Sequence, residues 1–105
     1  MDKVKKGLSV KGPAYLHVLS VCPTGWRSAP DLSVRLGRLA ILSGIFPLYE
    51  VENGKYRLTF DPSPLRPIKD YLSLQGRFRH LTEGQVKEIQ ERVTRDYDQL
   101  KERCA

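Results

Sequence analysis

Hydrophobic residues fall into patterned blocks along the chain, each bounded by turn-forming residues. The first block is a nearly continuous apolar run from Ala14 to Val21, closed by Gly12-Pro13 before it and by Cys22-Pro23 after it. The run is too short for a helix and rich in Val and Tyr, which predicts a strand. Apolar residues on both of its faces predict a parallel strand covered on two sides. Ligands of open parallel sheets gather beyond the carboxyl ends of the strands, and Cys22 stands at that end.

The second block predicts a helix. Ser28 and Asp31 form an S-x-x-D start with Pro30 in the first turn, and Leu32, Leu36, Leu39 and Ala40 repeat at helical spacing up to a stop at Gly44. Arg35 and Arg38 fall on another, solvated face. The third block alternates on either side of Asn53-Gly54, which suits a type I′ hairpin turn because both central positions need positive φ. That register sets Glu52 opposite Lys55, Val51 opposite Tyr56, Glu50 opposite Arg57 and Tyr49 opposite Leu58. One face then carries two ion pairs, and the other carries Tyr49, Val51, Tyr56 and Leu58.

Asp61 to Pro67 holds three prolines in seven residues, which predicts an extended linker. Pro67 opens a short helix through Ile68, Tyr71, Leu72 and Gln75 that Gly76 stops. Thr82 and Gln85 make a T-x-x-Q capping box with Leu81 and Val86 as its staple. The helix that follows runs to about Arg103 with a narrow apolar stripe of Val86, Ile89, Val93, Tyr97 and Leu100. So lean a stripe, beyond a proline-rich linker, predicts a tail that reaches away and packs on another polypeptide. At the opposite end, Met1 to Lys11 is basic and reads as the tail of a helix ending near Gly7, or as a frayed terminus.

At 105 residues the chain suffices for one small domain with little core to spare. Its 18 Lys and Arg against 12 Asp and Glu leave a net charge of +6, which favours an acidic partner. Two cysteines, Cys22 and Cys104, make no disulfide framework, and neither a signal peptide nor a membrane-length apolar segment is evident. A reducing cytoplasm is the expected setting, without a membrane. Arg77, Arg79 and His80 flank Phe78, but this reads as a solvated corner around one packed aromatic. No nucleic-acid motif accompanies the charge, so no nucleic-acid partner is expected.

Considered alone, a cysteine at a strand end is a small buried hydrophobe. Cys104, at the chain end, reads as an incidental exposed thiol. His17, inside the predicted strand, reads as a buried, hydrogen-bonded side chain. It lies about 16 Å from Cys22 along a strand, too far to form a nucleophilic pair with it.

Three blocks in order change the picture. GPAYLHVLS followed by CPTGW, FPLYEVENGKYRLT (Phe46–Thr59) and YLSLQGRFRHLT (Tyr71–Thr82) resemble the carboxyl-terminal part of the β subunit of pyruvate:ferredoxin oxidoreductases (pyruvate synthases) and related 2-oxoacid:ferredoxin oxidoreductases. The likeness runs from about Lys11 to about Gln90. Members of that family usually carry a proline before the cysteine, where this chain has Val21.

The resemblance implies an α/β fragment. Residues 1–60 would end a thiamine-diphosphate-binding parallel α/β domain with a terminal strand, one helix and a hairpin. Residues 61–105 would be a proline-rich linker and a two-helix tail. It further implies oxidative decarboxylation of pyruvate or another 2-oxoacid with coenzyme A, giving acyl-CoA, carbon dioxide and reduced ferredoxin. In the full enzyme the cofactors would be thiamine diphosphate, Mg2+ and 4Fe–4S clusters, and Cys22 would be one of four thiolate ligands of a cluster. Neither Gly-Asp-Gly nor Cys-x-x-Cys occurs here. The chain alone is therefore expected to be inactive and to bind none of these cofactors. Its partners would be the rest of the β subunit, other oxidoreductase subunits and ferredoxin. The alternative is a small basic protein-interaction module without chemistry. No motif identifies which 2-oxoacid would be used.

Overall fold

A computed structural model describes all of residues 1–105. Its centre is Trp26, Leu36, Leu39, Ala40, Ile68, Tyr71 and Leu72, a single buried cluster drawn from both halves of the chain. The elements around it are α1 (Asp2–Ser9), α2 (Pro23–Trp26), α3 (Ser33–Leu42), β1 (Leu48–Glu52), β2 (Lys55–Phe60), α4 (Ile68–Leu72) and α5 (Glu83–Cys104). Single 3-10 turns occupy Pro30–Leu32 and Gly76–Phe78. The result is a small α/β unit of five helices and one two-stranded antiparallel sheet.

The hairpin forms in the expected register, with Glu52 opposite Lys55, Val51 opposite Tyr56, Glu50 opposite Arg57 and Tyr49 opposite Leu58. Asn53 and Gly54 both take positive φ, 53° and 77°, as a type I′ turn requires. A bulge follows between Leu48 and Tyr49. Of the two expected ion pairs only Glu50–Arg57 closes; its half-buried carboxylate also takes Lys6 of α1 at 2.9 Å. Lys3 donates to the Tyr49 carbonyl at 3.0 Å, so α1 is tied to the hairpin by two lysines. These contacts lower the Glu50 pKa, the Lys6 hydrogen bond being the largest cause. Helix α1 runs through Gly7 to Ser9, past the expected stop.

The long run Ala14–Val21 forms neither helix nor strand and pairs with nothing. A strand needs a neighbour for its amide and carbonyl groups, and this chain presents none beside it. Tyr15 and Val18 are consequently 86% and 77% exposed, and only Leu19 and Val21 pack on the core.

The S-x-x-D start of the second helix does not form. Residues 30–32 make a 3-10 turn, α3 begins at Ser33, and the buried Ser28 hydroxyl finds no partner. Pro30 has no amide to offer a cap and fixes its own φ, which lets the tighter turn win. The rest of the helix follows its periodicity, with Leu36, Leu39 and Ala40 buried and a left-handed stop at Gly44 (φ 84°).

The tail does not reach away. Ile68, Tyr71 and Leu72 of α4 enter the core, and Val86, Ile89 and Val93 of α5 pack against it. The Thr82–Gln85 capping box is complete: Gln85 N donates to Thr82 Oγ1 at 3.2 Å, and Thr82 N donates to Gln85 Oε1 at 2.9 Å. The lean stripe suffices because polar groups make tertiary contacts too. Ile68 N donates to Gln90 Oε1 at 2.7 Å, and the buried Tyr97 donates its hydroxyl to Asp61 at 2.9 Å. The proline-rich segment is held as well, through Arg66 N to the Leu42 carbonyl at 2.8 Å.

Candidate functional site

Cys22 precedes a Pro-Thr-Gly-Trp turn, and each of those residues has a structural task. Pro23 has no amide to leave unsatisfied, so it opens the single turn of α2 without loss. The Trp26 amide donates to the Cys22 carbonyl at 2.8 Å and closes the turn. The Gly25 amide donates to Cys22 Sγ at 3.3 Å. A side chain at Gly25 would bring a Cβ to the same 3.3 Å from that sulfur. Trp26 then drops its indole into the core, edge-on to Tyr71 with ring centres 6.1 Å apart. The anchor is internal, while the thiol it positions is exposed.

A second segment clamps the turn from outside. Arg77 lies with its guanidinium 4.2 Å from the Trp26 ring centre and 4.6 Å from that of Phe78. Its Nε donates to Gln75 Oε1 at 2.7 Å, and the buried Gln75 amide donates to the Tyr71 carbonyl at 2.9 Å. A cation stacked on aromatic faces contributes about 0.5–2 kcal/mol, more as it loses water. Next to it, Gly76 N donates to the Arg27 carbonyl at 2.9 Å, with Arg27 in the left-handed region at φ 53°. Approach this close needs glycine: a Cβ at position 76 would lie 2.7 Å from Arg27 Cβ. Thus Arg77, read from the sequence as a solvated corner, instead braces the cysteine turn. Arg-Phe beside a Gln was the visible signal, but only the fold shows that Trp26 fills the other side.

The remaining candidates are not brought to Cys22. His17 is exposed and meets Phe46 edge-on at 5.1 Å, without the hydrogen bond or burial expected of it. The strand that was to bury it has no neighbours in this chain. Cys104 is half-buried in the last turn of α5, and both cysteines are free. Nowhere do three or more His, Cys, Asp or Glu residues gather as a metal-binding group. The arrangement offers one exposed sulfur on a braced turn, which fits a single ligand of a site completed by other residues. A 4Fe–4S cluster requires four thiolates, more than the two cysteines in the chain.

The strongest titration shifts lie elsewhere and are structural. The Ser63 hydroxyl and amide hold Asp61 at a pKa of about 2, with Tyr97 and Lys101 adding to the effect. Burial pushes Tyr97 up to about 12, and its bond to Asp61 adds to the rise. No helix is long and apolar enough to cross a membrane.

Comparison with known proteins bears out the resemblance. Pyruvate synthase subunit PorB of Methanocaldococcus jannaschii is 47% identical over 93 residues, covering 89% of this chain and 31% of its own length. Ketoisovalerate oxidoreductase subunit VorB of Pyrococcus horikoshii is 40% identical over 102 residues, covering 94% of this chain and 32% of its own. Pyruvate synthase subunit PorB of Thermotoga maritima is 41% identical over 103 residues, with 93% and 32% covered. The chain therefore spans about a third of the length of the curated relatives it matches. No protein-family model matches it.

Proposed function

Since the chain is a relative of the pyruvate synthase and ketoisovalerate oxidoreductase β-type subunits, we propose that it is the carboxyl-terminal portion of the β subunit of a 2-oxoacid:ferredoxin oxidoreductase. The reaction is oxidative decarboxylation of pyruvate or a related 2-oxoacid with coenzyme A, giving acyl-CoA, carbon dioxide and reduced ferredoxin. When bound, thiamine diphosphate with Mg2+ supplies the decarboxylation chemistry and 4Fe–4S clusters supply the path for electrons.

This chain's contribution is positional. The observation that carries the reading is the exposed Cys22 sulfur, set on a turn whose tryptophan is sunk in the core and whose outer side is braced by Gly76 and Arg77. A braced ligand keeps its sulfur in place without spending binding energy on ordering a loop. The other three thiolates, the diphosphate-binding residues and the strands flanking Ala14–Val21 lie in the rest of the subunit. The exposure of Tyr15, Leu16 and Val18 on an unpaired segment supports that placement. On this reading residues 1–60 close the thiamine-diphosphate-binding domain, and residues 61–105 pack the brace and the carboxyl-terminal helix onto it. The rest of the β subunit and the other oxidoreductase subunits are the partners, ferredoxin takes the electrons, and the setting is the cytoplasm.

Translating the neighbouring coding sequence tests the proposal. A continuous frame or an adjacent gene with Gly-Asp-Gly and Cys-x-x-Cys supports it. A neighbourhood lacking both contradicts it.

A further inference from the structure

A groove of about 770 Å³ runs between the α4-to-Phe78 segment and the first two turns of α5, and shares Arg27, Gly76 and Phe78 with the outer side of the clamp on the cysteine turn. Its floor is largely apolar, with the buried Ile68 and Leu72 beside the buried polar Gln75, and half-buried Leu74, Phe78 and Val86 stand among its walls. Its rim carries Arg27, Lys69, Arg79 and Lys87, one cation from each of four separate segments, all exposed. Glu83 is the one carboxylate in the lining. The ion pairs of the chain engage Lys6, Arg57, Arg66, Arg92 and Lys101, and none of the four rim cations. Even Glu83, one helical turn before Lys87, leaves that lysine unpaired.

From this charge pattern we infer that the groove docks an acidic peptide segment of another polypeptide, its apolar side chains seated on the floor and its carboxylates on the four rim cations. The inference rests on the groove alone and stands or falls independently of the oxidoreductase reading. The apolar floor separates this site from a plain polyanion site. Phosphate chains are held by charge and have no apolar side chains to bury, whereas an acidic amphipathic segment satisfies floor and rim together.

Fluorescence anisotropy of the 105-residue chain tests it, with a labelled peptide of repeated Glu-Leu-Glu units as the probe. The double reversal Lys69→Glu/Lys87→Glu should weaken binding about tenfold, because it replaces two exposed attractive pairs with repulsive ones. Reversing Arg35 and Arg38, exposed on α3 outside the groove, changes net charge equally and should leave binding within about twofold. A probe with Ser in place of Leu should bind more weakly than the parent. Circular dichroism verifies that each variant keeps its helices. Equal weakening by the two double reversals would overturn the inference. So would equal binding of the Ser probe, or tighter binding by a single-stranded oligonucleotide or an anionic phosphatidylserine vesicle.

Discussion

Alanine at position 76 strikes the contact that fixes the cysteine turn. Its Cβ would lie 2.7 Å from Arg27 Cβ and 3.1 Å from the Arg27 carbonyl oxygen. Both atoms belong to or adjoin the main chain, so no rotamer change relieves the overlap. One of the two segments must move, and overpacking of this kind costs about 1–3 kcal/mol. The movement also stretches the 2.9 Å bond from Gly76 N to the Arg27 carbonyl. Arg27 adds strain of its own at φ 53°, about 1–2 kcal/mol for a residue with a side chain. Arg27→Gly removes both the clashing carbon and that strain, against about 0.5–1 kcal/mol of added unfolded-chain entropy. The two substitutions should therefore couple, with the double variant recovering at least about 0.5 kcal/mol of the Gly76→Ala loss. Urea unfolding followed through Trp26, the single tryptophan, reads all four proteins. In a Cys104→Ser background, Gly76→Ala should also speed reaction of Cys22 with a disulfide reagent, as the Gly25 amide leaves the sulfur. An unchanged midpoint for Gly76→Ala, or strictly additive losses in the double variant, would refute the clamp.

Asp61→Asn should flatten the acid limb of stability. Asp61 sits at about 2 when folded against 3.8 ordinarily, so its contribution is full above 3.8 and lost as pH falls through about 2; acid unfolding curves that stay parallel would contradict this. Tyr97→Phe removes the partner hydroxyl and should cost about 1 kcal/mol at neutral pH by urea titration. It also removes a contribution that is full below 10 and lost as pH rises through about 12. Gly54→Val puts a β-branched residue at φ 77°, and a loss of about 1–2 kcal/mol is expected in the unfolding midpoint; no change would argue against the type I′ turn. Reconstituting the purified chain with iron and sulfide should leave no stable 4Fe–4S absorbance at one cluster per monomer. A spectrum with that stoichiometry would contradict the single-ligand reading.

Local chemistry was legible wherever a few adjacent residues decide the outcome. Asn53-Gly54 set the hairpin register, Thr82 and Gln85 capped α5, and Gly44 stopped α3, because each effect acts within one turn of chain. Ser28 and Asp31 misled for the same reason: Pro30 between them favours a 3-10 turn over the cap. Ala14–Val21 has the residue types of a buried strand. Burial depends on neighbours, and those are supplied by other segments. The packing of the tail is not legible in its periodicity, which counts apolar residues and overlooks Gln90 and Tyr97, whose polar atoms fasten α4 and Asp61 to α5. The site was half visible. Cys22 stood out at a turn, but its brace comes from residues 75–78, some fifty positions later, and no local pattern announces a contact at that separation.

The most direct measurement is made on the complete enzyme with Cys22→Ser. Serine preserves the size of the side chain but is a poor thiolate substitute for iron. Cys22→Ser should cause a marked loss of bound iron and of the corresponding reduced-cluster resonance in electron paramagnetic spectra, with circular dichroism and subunit assembly unchanged. Full cluster content together with normal ferredoxin reduction would contradict it and return Cys22 to a purely local role at the turn.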